Sequence, residues 1–312
     1  MAYVLPQVQA PTLATTMMGS LYGAIHAWDD SLTITDLFGY SGHAFILNIE
    51  RTLCPSGPTA WDWGASLFPL RQMFTLRRLC ASCDKRSPEE ARELIWQRAT
   101  DSLDAGRPAM LWDVIYPEFY LAYGYDSERG EYLVQGPGAE RHHQRAASTR
   151  LGMHTGQVWA LFPAPHESPN REAARDLALR GAVAWHRWPN AVDAQWTFGG
   201  DAWNVWIAAM GEEELAHHSS TVSYNHFVYA ECRQQAAAFL TSLGPAFADA
   251  AGSFGQVAAA LQAICDRWLF QAPIPPLSVR RELVTYLQAA RDAEQEGIRA
   301  LEAALEHERA IC

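Results

Sequence analysis

Two kinds of patterning divide the chain. Before about residue 165, apolar residues at helical spacing are interleaved with short apolar runs of strand length; beyond it the helical period takes over. "TTMMGSLYGAIHAW" places Met18, Leu21, Ile25 and Trp28 on one helical face behind threonines able to cap, and Asp29-Asp30-Ser31 ends it. "SPEEARELIWQRATDSLDAG" is the clearest helix. Ser87 and Glu90 form a capping box, Pro88 takes the first helical position, and Gly106 stops the run. Its inward stripe is Ala91, Leu94, Ile95, Ala99 and Leu103. Four strands follow: "PAMLWDVI", "EFYLAYGY", "EYLVQ" and "GQVWALFPAP". The mostly short connections between them predict antiparallel pairing.

"PAPHESPN", Pro163 to Asn170, is a polar, Pro-rich break, and a domain boundary is expected there. Past it, helices are predicted over 170–188, 201–217, 221–243, 245–268 and 279–309. In the last, Leu283, Leu287, Ala290, Ile298, Leu301 and Leu305 share one face. The expectation is an α+β domain over residues 1–165 followed by an all-helical bundle over 166–312.

Composition narrows the function classes. A net charge of −11 over 312 residues leaves no basic stripe for phosphates, so nucleic acid is not an expected partner. No apolar run is long enough to span a membrane, and the first residues, "MAYVLPQVQAPTLATT", lack a signal-peptide pattern. Six cysteines in that context are expected to be reduced thiols in a cytoplasm. Cys80 and Cys83 form one C-x-x-C; without a second pair it reads as two thiols near a helix end rather than zinc ligands. Glu214 and His217 make half of a di-iron signature whose second half is missing. Neither a metal nor a cofactor is expected. His142 and His143 sit in a polar loop and read as surface residues. The twelve tryptophans cluster at Trp185, Trp188, Trp196, Trp203 and Trp206, which suits either a core or a groove for an apolar chain.

Several phrases, in order, resemble a known family. "TTMMGSLYGAIHAWDDSLTITDLFGYSGHAF" is similar to the opening of the butirosin-biosynthesis acyltransferase N-terminal family, itself related to papain-like, bacteriocin-processing cysteine peptidases. The glycine-rich phrase is Phe38-Gly39-Tyr40-Ser41-Gly42-His43-Ala44-Phe45; "GRPAMLWD" and "AYGYD" follow where the family has matching strands. The likeness covers residues 10–165 in order and, loosely, the helical half. It implies a papain-like fold for the first domain and a bacterial protein of a biosynthetic or peptide-modification pathway.

It also implies where a catalytic trio belongs. The cysteine slot at the head of the first helix falls on Thr16, the histidine slot on Glu118, and the orienting acid, just before Pro137, on Gly136. A thiolate needs a helix N-terminus and a histidine to form, and the histidine needs an orienting partner. Loss of such a unit removes a factor on the order of 10⁶ in rate. Cys54, the nearest thiol, precedes a proline and a turn and opens no helix. The leading expectation is therefore a non-catalytic or repurposed protein. It would bind a small molecule, acyl chain or peptide in a former active-site cleft around His43, Asp113, Glu118 and Tyr123. Two alternatives stand beside it: an acyltransferase or amide hydrolase using Thr16 with Glu118, and a homodimeric interaction module with a vestigial cleft. Asp113 and Glu118 form a carboxylate pair across "DVIYPE"; the plain reading is that Asp113 caps that turn and Glu118 is solvated.

Overall fold

The hydrophobic stripes read above become the buried faces of a mixed α+β molecule. A computed structural model describes residues 2–6, 8–59, 63, 67–137, 144–191, 194–215 and 220–311. The chain runs β1 (Ala2–Val4), α1 (Thr16–His26), α2 (Ile34–Ser41), β2 (Asn48–Glu50), β3 (Phe74–Cys80), α3 (Pro88–Asp104), β4 (Ala109–Trp112) and β5 (Phe119–Asp126). It continues through β6 (Glu131–Gln135), β7 (Gln144–Ala147), β8 (Trp159–Pro165), α4 (Arg171–His186), β9 (Trp196–Phe198), α5 (Gly200–Gly211), α6 (Tyr224–Ser242), α7 (Ala248–Arg267) and α8 (Leu277–Ile311). His142, His143 and His217 lie outside the described residues. Among the described residues no helix is long and apolar enough to cross a membrane.

The chain separates into two compact units, the first made of Met1–Leu37 and Leu70–Asn170. Its core is an antiparallel sheet in the order β3-β8-β4-β5-β6-β7. β1 pairs with Gly124–Asp126 of β5, continuing the line where β4, paired with Phe119–Ala122, stops. Alternation along β5 serves two faces. Tyr120 and Ala122 pack with Ala91, Ile95 and Ala99 of α3, whereas Leu121 and Tyr123 pack with Ala24 of α1. The capping box is in place: the Glu90 N–H donates to Ser87 Oγ at 3.2 Å and the Ser87 N–H to Glu90 Oε2 at 3.0 Å. Leu94 alone of the predicted stripe is only partly buried. At α1 the expected cap differs, for Thr15 makes no side-chain capping bond there.

The second unit joins Arg171–Cys312 to an earlier segment, Phe38–Pro69. All five predicted helices are present as α4 to α8, and the six residues of the predicted α8 stripe are buried. The sequence reading placed all of residues 1–165 in one domain and the helices alone in the other; the compact units instead divide within α2 and again after Asn170. The reason is a set of buried contacts from helices to the backbone of 38–69. Arg233 of α6, wholly buried, donates through Nη1 to the carbonyls of Ala44 at 2.8 Å and Ile46 at 2.9 Å. Its Nη2 reaches Glu294 Oε1 of α8 at 2.9 Å. The Asn48 N–H donates to the Tyr229 hydroxyl at 2.9 Å, and Asn225 donates to the Leu53 carbonyl at 3.0 Å. Gly39 lies so close to Phe239 that a Cβ would stand 2.1 Å from the ring, so the Phe-Gly phrase is a packing device here. The two short strands β2 and β9 pair antiparallel inside this unit, which is therefore not purely helical.

Candidate functional site

The three positions singled out by the family resemblance, Thr16, Glu118 and Gly136, lie in the first unit, at the head of α1, just before β5 and just after β6. Thr16 opens α1, and its hydroxyl donates to Glu118 Oε2 at 2.6 Å. Thr16 Oγ1 in turn accepts the Phe119 N–H at 3.3 Å. Two residues 102 positions apart in the chain are thus joined. The Thr16 proton is committed to a carboxylate and one lone pair to a backbone amide, so the hydroxyl serves as a joint between helix and strand.

The third slot is closed by packing. The Tyr120 ring lies across Gly136, where a Cβ would come within 2.4 Å of it, and the Tyr120 hydroxyl donates to the Pro137 carbonyl at 3.3 Å. No side chain, acidic or otherwise, fits at 136 without displacing that ring. The residue before it, Gln135, ties down the N-terminal segment: its Nε2 donates to the Val8 carbonyl at 2.8 Å and its Oε1 accepts the Ala10 N–H at 2.9 Å.

Asp113 does not pair with Glu118 through its carboxylate. Only the backbones meet there, the Asp113 N–H donating to the Glu118 carbonyl at 2.9 Å. The Asp113 side chain, 0% exposed, turns instead to the loop Gly152–Gly156. It accepts the His154 N–H at 3.0 Å, the Thr155 N–H at 2.8 Å and the Thr155 hydroxyl at 2.9 Å. His154 Nδ1 lies 2.6 Å from Asp113 Oδ1. Asp113 has φ of 57°, a left-handed conformation that aspartate tolerates better than most residues. Arg92 of α3 holds the same loop from the other side, donating to the Leu151 carbonyl at 2.8 Å. In a neutral imidazole, a carboxylate on Nδ1 makes that nitrogen the proton carrier and leaves Nε2 as the acceptor. The imidazole is 40% exposed, so this nitrogen belongs to a ring that a ligand can reach.

Thr16, Glu118, Asp113 and His154 therefore form one connected run of hydrogen bonds. His154 and Thr155 escaped the sequence reading; the available signal was a polar pair between Gly152 and Gly156 in "GMHTG". Tyr123, expected in a cleft, is buried against Leu5, Ala24, Leu121 and Leu133. It is the extra residue of a bulge where the β5–β6 register jumps from Ala122 to Gly124.

His43 belongs to the second unit, buried in a 3₁₀ turn with its ring edge-on to Phe38. Burial, reinforced by the Arg233 charge, lowers its pKa to about 3, so it is neutral at ordinary pH. Cys54 lies in a turn of the same unit, its sulfur accepting the Ser56 hydroxyl at 3.1 Å. The tryptophan cluster divides. Trp203 and Trp206 are buried and stacked at 5.6 Å, whereas Trp185 and Trp188 meet at 5.5 Å with Trp188 exposed. A separate open pocket of about 330 Å³ in this unit has a mixed lining, with Arg51, Asn190, Thr197 and Asp201 beside Ala191, Ala194 and Val205. Among the described residues no three His, Cys, Asp or Glu side chains come together as a metal site.

A scan of protein-family models and a search of curated proteins find no match to the chain.

Proposed function

We propose that the first unit is a papain-like scaffold that has left thiol chemistry, and that the protein binds a small molecule, acyl chain or peptide without cleaving it. The observation that carries this reading is the Thr16 hydroxyl, held between Glu118 Oε2 at 2.6 Å and the Phe119 N–H at 3.3 Å. A residue in the nucleophile slot is here part of the framework. A carboxylate is also a weak base toward an alcohol, so the pair lacks the driving force a cysteine and histidine supply. The filled place at Gly136 supports the same reading, since nothing there can orient a catalytic ring. Ligand contact falls to the half-buried Thr16–Glu118 pair and the exposed imidazole of His154, which offers Nε2 to a donor such as a peptide N–H or a hydroxyl.

The test pairs binding with turnover. The protein is incubated with a medium-chain acyl thioester and with a short peptide amide, and examined by calorimetry, product analysis and intact mass. Saturable binding of one probe, no product and no added mass are expected, with affinity falling at least tenfold in His154→Ala. A covalent adduct on Thr16 that disappears in Thr16→Ala establishes the acyltransferase reading instead. Absence of binding, together with a dimeric mass by light scattering, favours the interaction module.

A further inference from the structure

The C-x-x-C of "LCASCDKRS" takes no part in the site described above, yet its geometry is specific. β3 delivers Cys80 at its last position, paired with Trp159 of β8. The chain then makes a single helical turn, the Asp84 N–H donating to the Cys80 carbonyl at 2.9 Å, while Asp84 Oδ2 accepts the Cys80 N–H at 3.0 Å. Residues three apart in such a turn fall on one side. Cys83 Sγ accordingly lies 2.6 Å from Cys80 Sγ. The Cys83 N–H also points at that sulfur, 3.4 Å away, and Ser82 Oγ lies 3.3 Å from it.

The two thiols differ in access and in acidity. Cys80 is buried and Cys83 exposed. Burial opposes ionisation of Cys80. It is outweighed by the hydrogen bonds from Cys83, Ser82 and the Cys83 amide and by the nearby Arg78 charge, and the thiol is held below its ordinary value. Cys83 is pushed up, by burial and by giving its proton to Cys80. Thiol–disulfide exchange rewards this division: attack goes to the reachable sulfur, and the sulfur that leaves best is the one whose thiolate is stabilised.

We propose that Cys80 and Cys83 form a reversible dithiol–disulfide pair whose outside partner, a small-molecule disulfide or thiol, engages Cys83. In oxidation, the Cys83 thiolate attacks one sulfur of the outside disulfide, forming a mixed disulfide and releasing one thiolate. The Cys80 thiolate then attacks Cys83 Sγ, closing the Cys80–Cys83 bond and releasing the second thiolate. The protein loses two protons and two electrons, and the outside disulfide becomes two thiols. In reduction an outside thiolate attacks Cys83 Sγ and Cys80 departs as the hydrogen-bonded thiolate; a second thiolate then frees Cys83.

The experiment equilibrates the full chain with glutathione and glutathione disulfide over a series of ratios, traps thiols by alkylation in denaturant, and locates them by peptide mass. Of the six cysteines, Cys80 and Cys83 are expected to become refractory together, along a two-electron titration curve that reverses on reduction. Cys80→Ser should accumulate a glutathione adduct on Cys83, and Cys83→Ser should leave Cys80 open to alkylation at every ratio. The wild-type curve stands even if a variant misfolds. Alkylation of both thiols at all ratios overturns the proposal, as does joint protection that a metal chelator abolishes or an oxidised partner for Cys83 other than Cys80.

Discussion

The two units each contain a polar joint between distant elements, built on opposite principles. In the first, Thr16 and Glu118 are half-buried: the carboxylate accepts the Thr16 hydroxyl, whose oxygen accepts the Phe119 amide. In the second, Arg233 and Glu294 are 0% and 2% exposed, and the guanidinium is shared between a carboxylate and two carbonyls. A full ion pair removed from water is retained only when every donor and acceptor is met, and its removal from one side leaves the partner stranded. A hydroxyl joint at the rim carries a smaller penalty and stays within reach of solvent. The second unit thus keeps its ion pair out of water, whereas the joint in the first stays at the solvent edge.

The largest effect separating the two is expected at Glu294. Glu294→Gln leaves the Arg233 charge without its counter-ion and should lower unfolding stability by about 3–5 kcal/mol, read from urea midpoints. A loss below about 1 kcal/mol would show that the pair is solvated and the contrast false. Adding Arg233→Met should recover part of the loss and not all, because the Ala44 and Ile46 carbonyls then lack a donor.

Acid should act next, and on the second unit. Burial, helped at His43 by the Arg233 charge, lowers that histidine to about 3. Burial likewise lowers His226 to about 4 against the opposing hydrogen bond to the Trp268 carbonyl. Both lie below the ordinary 6.5, so the unfolded chain binds two more protons than the folded one once pH drops under that value. Their contribution is complete above about pH 6.5 and is lost as pH falls toward 4 for His226 and toward 3 for His43, at about 2.7 kcal/mol per pH unit at most. Glu294 follows lower down. Burial alone would raise its pKa, but Arg233 and His186 hold it at about 2, so its share is lost between its ordinary 4.5 and that value. Stability unchanged between about pH 7 and about pH 5 would contradict the burial of these imidazoles.

The smallest effect belongs to the rim joint. Thr16→Val keeps the shape and removes the hydroxyl, depriving Glu118 of a donor and Phe119 of an acceptor. A loss of about 1–3 kcal/mol is expected from differential scanning calorimetry. An unchanged melting temperature would mean the hydroxyl is not a framework group and would reopen its use as a nucleophile.

Local signals in the sequence carried far. The capping box at Ser87 and the stripe from Leu283 to Leu305 were legible because each depends on residues within a few turns of one another. β3, "FTLRRLC", was missed: Arg77 and Arg78 interrupt its alternation, as suits a strand at the end of the sheet order, where charge discourages further pairing. The union of 38–69 with the helices was invisible for another reason. Arg233 and Asn225 hold that segment by its carbonyl oxygens, and a carbonyl leaves no trace in residue type. Thr16 and Glu118 were placed together through the family likeness, whereas Asp113 and His154, 41 residues apart, had no pattern to announce them.

The division of the second unit into Phe38–Pro69 and Arg171–Cys312 bears on how the chain matures. The early segment leaves the ribosome well before the arginine that will claim its carbonyls; at about 5–20 residues per second that is a wait of roughly 10–40 seconds. Meanwhile the intervening stretch completes its own sheet. A fragment begun at the Pro-rich break would carry all five helices and Glu294 but not the Ala44 and Ile46 carbonyls that accept from Arg233, and expressing it alone should yield a loosened bundle rather than a domain.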